Sequence, residues 1–311
     1  MKKMRHIISN FYRETDLGYL MLNPFYKTYE LGLKLVSDKF IIKNSFKKHM
    51  GYTIDLDNPL TLNEKINWLK LYERKELHTK VADKYKVRDY IERTIGGEYL
   101  IPLLYNTKDP KDIRKKNLPD VEFIIKTNHN SSGGIIVRDK SKVKWKKIRK
   151  KLKRLMKENH YYSTREWQYK NIEPRIVVEK LLTYSDGSIP EDFKLHCFNG
   201  KLAFVMVDIG RHNEKRYRNI YDKEWNLLPC NWGRPNGNDI EKPSNLKEMI
   251  ELAEKIAKDF IYVRVDFYSV YGKTYFGELT FHHASGLQKF FQKEWDYKFG
   301  KLLNISGING K

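Results

Sequence analysis

Residues 262–286 read YVRVDFYSVYGKTYFGELTFHHASG. Two short alternating stretches around a Gly-containing turn are the pattern of a β-hairpin. Strand side chains alternate with period two, so Val263, Val265 and Phe267 share one face of the first strand and Arg264 and Asp266 the other. On the second strand Thr274, Phe276, Glu278 and Thr280 are expected to lie together. With Tyr271-Gly272-Lys273 as the loop, Val270 pairs with Thr274, Asp266 sits opposite Glu278, and Arg264 sits opposite Thr280. Two carboxylates directly opposite each other repel and weaken a hairpin. A divalent cation is the simplest compensation, because carboxylate oxygens suit Mg²⁺, and a neighbouring arginine suggests a phosphate for that metal to share. A solvated polar face in which Arg264 pairs one of the acids accounts for the same residues without any function.

The composition narrows the choice. A chain of 311 residues with 40% hydrophobic and 14% aromatic residues builds a real core, which excludes a disordered protein. Sixty Lys and Arg against 39 acids give a net charge of +21. That balance points to anionic partners such as nucleotides, nucleic acid, acidic glycans or anionic lipid surfaces, although a general richness in Lys, Ile, Asn and Tyr produces it too. Cys197 and Cys230 are too few and too far apart for a disulfide framework or a zinc site, and read as free thiols in a reducing cytosol. The first residues lack the apolar run of a signal peptide, and no stretch approaches the ~18 apolar residues of a membrane span. The expectation is a cytoplasmic protein whose charge permits peripheral contact at the inner face of the membrane.

Residues 1 to about 50 are basic and helical in pattern, with Leu31, Leu33, Leu35, Phe40 and Ile41 among lysines. Thr61 and Glu64 have capping-box spacing ahead of Ile66, Trp68, Leu69 and Tyr72. The segment VADKYKVRDYIERTIGG predicts a helix through Val81, Tyr85 and Val87–Ile91 that stops at Gly96-Gly97, with Asp83, Lys84, Lys86 and Arg88 on its polar side. A short strand, EYLIPLLY, follows. In VEFIIKTNHNSSGGIIVRD an apolar strand ends in Lys126, runs through Asn128, Ser131, Ser132, Gly133 and Gly134, and resumes as IIV. Backbone N–H groups of such a small-residue loop can converge on phosphate oxygens, and the lysine adds a cation. A polar hairpin turn explains the loop equally well, and the spacing is not that of a Walker P-loop.

The run Lys140–Lys157 is the most basic, with a narrow stripe of Ile148, Leu152, Leu155 and Met156. It reads as a helix docked by that stripe, or as one that meets an anionic membrane or nucleic acid. PRIVVEKLL is a buried strand with Glu179 near its end, and EDFKLHCFNGKLAFVMVDIG is a hairpin turning at Asn199-Gly200, with Asp192, Lys194, His196 and Phe198 on one face. A polar connector carrying Arg211, Arg216 and Arg218 follows. Asn245 and Glu248 then predict a second capping box, opening a helix with Leu246, Met249, Ile250, Ala253, Ile256 and Ala257 on one face.

From about Asp83 to Gly286, this order of elements resembles the ATP-grasp superfamily of carboxylate–amine ligases. Three phrases, NPLTLNEKINWLKL, VADKYKVRDYI and GELTFHHASG, are most similar to the TupA-like ATP-grasp proteins of cell-surface polysaccharide gene clusters. The resemblance implies an α+β chain with the ATP-grasp fold, in which two α+β subdomains sandwich ATP. It divides the chain into a helical extension at 1–60 and an ATP-grasp domain at 61–311, with a nucleotide-clamping part at about 121–180 and a metal-bearing part at about 181–290. It implies ATP-binding roles for Lys84, Lys126, Asn128, Ser131, Ser132, Gly133, Gly134, Glu179, Lys180, Leu182 and Lys194. Arg264 and Lys194 become the catalytic cations, and Asp266, Glu278 and Thr280 the ligands of one or two Mg²⁺ ions. The superfamily usually has Asn where this chain has Thr280, a weaker ligand. Arg211, His282, His283 and Ser285 become substrate contacts, although the last three serve equally well as turn residues.

The implied reaction joins a carboxylate and an amine through an acylphosphate, on an acidic saccharide or lipid-linked glycan precursor, with an amino acid and a uronic acid as the expected pair. A phosphotransferase acting on a sugar or lipid-linked glycan would use the same ATP site. A non-catalytic protein binding nucleic acid or an anionic surface explains the charge, but nucleic acid is disfavoured because opposed acids repel a phosphate backbone.

Overall fold

The computed structural model describes residues 4, 7, 8, 11, 12, 15–130, 134–210 and 216–306. Two helices, α1 (Asp16–Leu35) and α2 (Asp38–Met50), start at Thr15 and Ser37, whose hydroxyls accept from the first turns. In α3 (Leu62–Tyr72) the predicted capping box is complete, with Thr61 and Glu64 each accepting the other's backbone N–H. A late helix, α9 (Lys293–Leu302), crosses the start of α3. Gly300 permits this close approach, since a Cβ there would lie 2.1 Å from the carbonyl oxygen of Leu60. Gly300→Ala is expected to destabilise the protein by about 1–3 kcal/mol, the usual range for overpacking, read as a lower urea midpoint.

The single helix predicted through Val81–Ile91 is two, α4 (Glu76–Ala82) and α5 (Val87–Thr94). Asp83 Oδ1 accepts from the N–H groups of Tyr85 and Lys86 at 2.8 and 3.3 Å. A short acidic side chain that satisfies nearby N–H groups competes with helix continuation, and the resulting turn carries Lys84.

The first sheet is antiparallel, in the order β1-β4-β2-β3, from β1 (Leu103–Thr107), β2 (Phe123–Thr127), β3 (Ile135–Val137) and β4 (Ile176–Lys180). Its first strand begins later than EYLIPLLY suggests, because Gly97–Tyr99 form a 3-10 turn. Basic helix α6 (Trp145–Leu155) docks on this sheet through the expected stripe, with Leu152 buried against Phe123, Ile125, Ile176 and Val178 and with Ile148 and Met156 beside it. A short helix, α7 (Tyr161–Thr164), follows.

The second sheet has the order β7-β6-β5-β8-β9. Its members are β5 (Asp192–Phe198), β6 (Lys201–Ile209), β7 (Tyr217–Tyr221), β8 (Tyr262–Val270) and β9 (Lys273–Thr280). Strand β7 corrects the reading of this region as a connector. Its alternation is hidden because polar Arg218 and Asn219 are buried along with Ile220 and Tyr221. Helix α8 (Leu246–Ala257) covers one face, packing Met249, Leu252, Ala253 and Ile256 against Leu195, Val205, Val263, Val265 and Phe267. The second capping box is not made. Asn245 instead donates to Thr274 Oγ1 at 2.7 Å and accepts from Ser269 Oγ at 2.8 Å, while Glu248 accepts from Thr274 and Tyr99, so both residues hold the tip of the β8–β9 hairpin.

That hairpin departs from prediction in an instructive way. Its turn has two residues, Tyr271 and Gly272, both in the left-handed region at φ 52° and 76°, so Val270 pairs with Lys273. A β-bulge at Gly277 absorbs the one-residue difference, and Asp266 still faces Glu278 while Arg264 faces Thr280. The bulge also separates residues expected on one face. Thr274 and Phe276 turn toward α8 and the core, whereas Glu278 and Thr280 turn the other way.

Candidate active site

The sheet face opposite α8 carries a band of charge that crosses all five strands: Glu278 on β9, Arg264 and Asp266 on β8, Asp192 and Lys194 on β5, Asp208 on β6 and Arg218 on β7. Register creates this band, since Lys194 faces Asp266 and Asp208 faces Arg218. Arg264 is its centre. Its Nε and one terminal nitrogen each lie 2.6 Å from an oxygen of Asp266, and that same nitrogen reaches Glu278 Oε1 at 2.9 Å. This guanidinium compensates both opposed acids, where the alternative to a divalent cation had Arg264 pairing one of them. The remaining nitrogen donates to His283 Nδ1 at 2.8 Å.

Two lysines from the first half of the chain, Lys84 and Lys126, stand beside this band. Lys84 Nζ donates to the carbonyl of Asn130 at 2.8 Å and stands 3.6 Å from Glu278 Oε2, so it spans the Lys126-to-Gly134 segment and the charged band. Lys126 pairs with Glu179 at 2.9 Å, and Arg88 approaches the other oxygen of Glu179 at 3.5 Å. Lys194 pairs with Asp192 and stands 3.8 Å from Asp208, which also accepts from Arg218 at 2.7 Å and Arg234 at 3.2 Å.

The side chain of Asn128 ties two segments together, accepting from the N–H of Arg175 and donating to the carbonyl of Glu173. Gly134 passes so near β2 that a Cβ would lie 2.3 Å from the end of Ile124. Ser131, Ser132, Gly133 and Arg211 lie outside the described residues. The Lys180 N–H donates to Pro102 O and that of Leu181 to Glu122 O, so the chain leaves the first sheet at Leu182. Thr280 Oγ1 is 3.5 Å from Glu278 Oε1.

His282 and His283 are buried rather than displayed at the cleft. Burial first, then nearby cations (Lys70 for His282, Arg264 for His283), hold both well below the usual histidine range and keep them neutral. Ser285 belongs to a tight turn in which Ala284, Ser285 and Gly286 have φ of 46°, 58° and 62°. Lys70 holds the turn by donating to Ser285 O at 2.6 Å and Oγ at 2.7 Å, and Asn67 donates to Gly286 O at 2.8 Å. Burial pushes Lys70 down to about 8, against the pull of Glu166. The sequence offers no signal for this lysine beyond its place on α3. Asp208, Arg218 and Arg234 likewise escape a reading of the sequence as site residues, and only the acid closing the apolar run AFVMVD hints at them.

The two opposed acids differ in charge behaviour. Burial lifts Asp266 from 3.8 to about 6, opposed by Arg264 and Lys194 and assisted by Glu278. Partial burial pushes Glu278 up as well, but Lys84, Arg264, Lys126 and Lys194 overcome it and hold the carboxyl down from 4.5 to about 2. Asp266 therefore adds stability that is full below 3.8 and lost as pH rises through about 6, whereas Glu278 adds stability that is present above 4.5 and lost as pH falls toward 2. In urea unfolding between about pH 4.5 and 2, Glu278→Gln is expected to show a shallower loss of stability than the parent. Parallel curves would remove the proposed coupling to the lysines.

The donor set fits Mg²⁺ of the kind held by one or two carboxylates and shared with phosphates. Among the described residues no group of three or more His, Cys, Asp or Glu side chains converges on one point, so a cage that encloses a metal by itself is not present there. Glu278 is about a third exposed, with a side-chain value of 34%, and its Oε2 stands 3.6 Å from Lys84 Nζ, beyond hydrogen-bond distance. It is the first ligand such an ion would find. Asp266 has both oxygens on Arg264 and would join as that arginine turns to a phosphate.

The two antiparallel sheets, with lysines, an arginine and opposed acids near one another, make up an ATP-grasp fold. The chain belongs to the TupA-like ATPgrasp family, whose profile matches residues 64–304. No curated protein matches it. Among solved structures it is similar to D-alanine–D-alanine ligase from Bacillus anthracis, at 18% identity and a TM-score of 0.39, over 65% of this chain and 57% of that one. The Helicobacter pylori D-alanine–D-alanine ligase matches at 14% identity and a TM-score of 0.41, over 75% and 60%. An N5-carboxyaminoimidazole ribonucleotide synthetase in its ADP complex matches at 12% and 0.40, over 66% and 46%. The chain thus spans little more than half the length of the first of these structures.

Proposed function

We propose that this protein is an ATP-dependent ligase that forms an amide between a carboxylate and an amine, in the making of a cell-surface polysaccharide precursor. The observation that carries the reading is Lys84, which bonds to the Asn128–Asn130 segment and stands beside Glu278, so that the segment read as a phosphate clamp and the acidic pair share one cation. In this reading a carboxylate oxygen of the substrate attacks the γ-phosphorus of ATP and ADP leaves. The amine then attacks the acyl carbon, expelling phosphate and losing a proton. No side-chain nucleophile is needed, and the protein contributes positioning and charge neutralisation. Lys84, Lys126 and Lys194 orient the phosphates, and Arg264 moves from Asp266 and Glu278 to the transferred group. Mg²⁺, held by Glu278 and Asp266 with Thr280 nearby, supplies further neutralisation of phosphate charge when bound. Family membership supports an acidic glycan substrate, with a uronic acid as carboxylate and an amino acid as amine.

The test is to supply ATP and Mg²⁺ with a panel of uronic-acid saccharides and amino acids. ADP release that depends on both partners is expected, with a product heavier than the saccharide by the amino acid less one water. ADP release with phosphate retained in the product would replace the ligase with a phosphotransferase. Nucleotide turnover with no acceptor dependence in any pair would leave neither.

A further inference from the structure

Helix α1 presents its apolar side to solvent. Leu17, Leu20, Met21, Phe25, Leu31 and Leu35 are all exposed, with Leu20 at 74%, Phe25 at 73% and Leu35 at 86%. Their spacing of three and four residues, with a longer step over Thr28, makes one stripe along a 20-residue helix, a length of roughly 30 Å. Such a stripe normally faces a core. Here the helix is held by polar and aromatic contacts instead. Tyr12 stacks on Tyr19 and Tyr26, the Arg154 guanidinium lies 4.4 Å from the Tyr19 ring centre, and Arg165 donates to the carbonyls of Leu33 and Val36. The outward orientation is thus fixed by specific contacts.

The N-terminal end of the stripe adjoins the densest positive charge in the chain. Residues 140–157 contain eleven Lys or Arg and no acid. Lys144, Lys146, Lys147, Lys150, Lys151 and Arg154 surround a shallow basin with Asp16, and Asp16, paired with Lys150 and Arg154, immediately precedes Leu17. We propose that α1 and α6 together form a surface that docks on anionic phospholipid bilayers, the α1 stripe entering the headgroup boundary and the α6 cations meeting lipid phosphates. An interfacial helix of this kind combines an apolar face with nearby cations. No described helix is long and apolar enough to cross a membrane, so the element lies on the bilayer. A second copy of the chain is the competing occupant: a parallel two-fold contact through the stripe would set two copies of the same cationic run side by side, and an antiparallel one would leave both runs without an anionic partner.

The test uses the full chain and sedimentation with vesicles, either of phosphatidylcholine alone or of phosphatidylcholine mixed with phosphatidylglycerol. Binding to the mixed vesicles that weakens with salt is expected, with little binding to phosphatidylcholine. Lys146→Gln with Lys147→Gln should weaken it roughly thirty-fold. Leu20→Glu with Phe25→Glu should abolish it while circular dichroism and ATP binding stay at parental values. Equal binding by the parent and both double variants would overturn the proposal. So would absence of binding at low salt, or a concentration-dependent dimer that the Leu20→Glu, Phe25→Glu variant dissolves while no vesicle is bound.

Discussion

Replacing Glu278 by Gln is expected to lower acceptor-dependent ADP release by a factor on the order of a hundred to a thousand, the scale for removing one preorganised electrostatic group from such a site. Glu278 is the acid that Lys84, Arg264, Lys126 and Lys194 hold ionised, and the more open of the opposed pair. The amide preserves its shape and removes its charge. Two consequences are separable by calorimetry. Binding of Mg²⁺-ATP should weaken, because the ligand that an ion would meet first has lost its charge. Binding of metal-free ATP should not weaken, and should tighten if anything, because the cleft becomes more positive. A variant that keeps parental turnover and parental dependence on Mg²⁺ would remove Glu278 from the mechanism. Loss of both binding modes would instead indicate a collapsed cleft, which circular dichroism would register.

Arg264→Leu is expected to have the largest effect on stability, at about 3–5 kcal/mol, because it leaves a buried carboxylate without its main partner. Asp266 receives both of its close contacts from this guanidinium, and Glu278 receives a third. The lost hydrogen bond to His283 adds a buried nitrogen without a donor. Replacing both members of the tight pair, Arg264→Leu with Asp266→Leu, should recover a substantial part of that loss, because two apolar groups no longer leave a charge stranded. Urea unfolding of parent, single and double variants tests this. A single variant within about 0.5 kcal/mol of the parent, the range of an ordinary surface substitution, would mean that the triad contributes little. Neither variant should catalyse, so stability and turnover separate cleanly in the double variant.

Much of the fold was legible because it rests on local rules. Thr61 with Glu64 marked a helix start, Asn199-Gly200 marked a hairpin, and the stripe Ile148, Leu152, Met156 marked how a very basic helix docks. Features settled by distant partners were not legible. Asn245 and Glu248 have capping spacing, yet Thr274 and Tyr99 claim their side chains. Strand β7 hides behind Arg218 and Asn219, polar residues buried because Asp208, Gln288 and the Asn238 carbonyl await them. Asp83 looks like one more helix residue until its own turn hydrogen bonds break the helix and deliver Lys84.

The hairpin at 262–286 divides the two sources of information most clearly. Period-two alternation placed Arg264 and Asp266 together and set Glu278 opposite Asp266, and that pairing stands. The amino-acid order could not reveal that the turn is one residue shorter and that Gly277 restores the register, because two compensating shifts leave the same pairing at the far end. Nor could it choose what neutralises the facing acids. That depends on a guanidinium's reach across a strand pair, on Lys84 arriving from a turn nearly two hundred residues earlier, and on burial that withholds water from Asp266. Local pattern governs which residues can share a face, while packing at long range sets their charge and their partners.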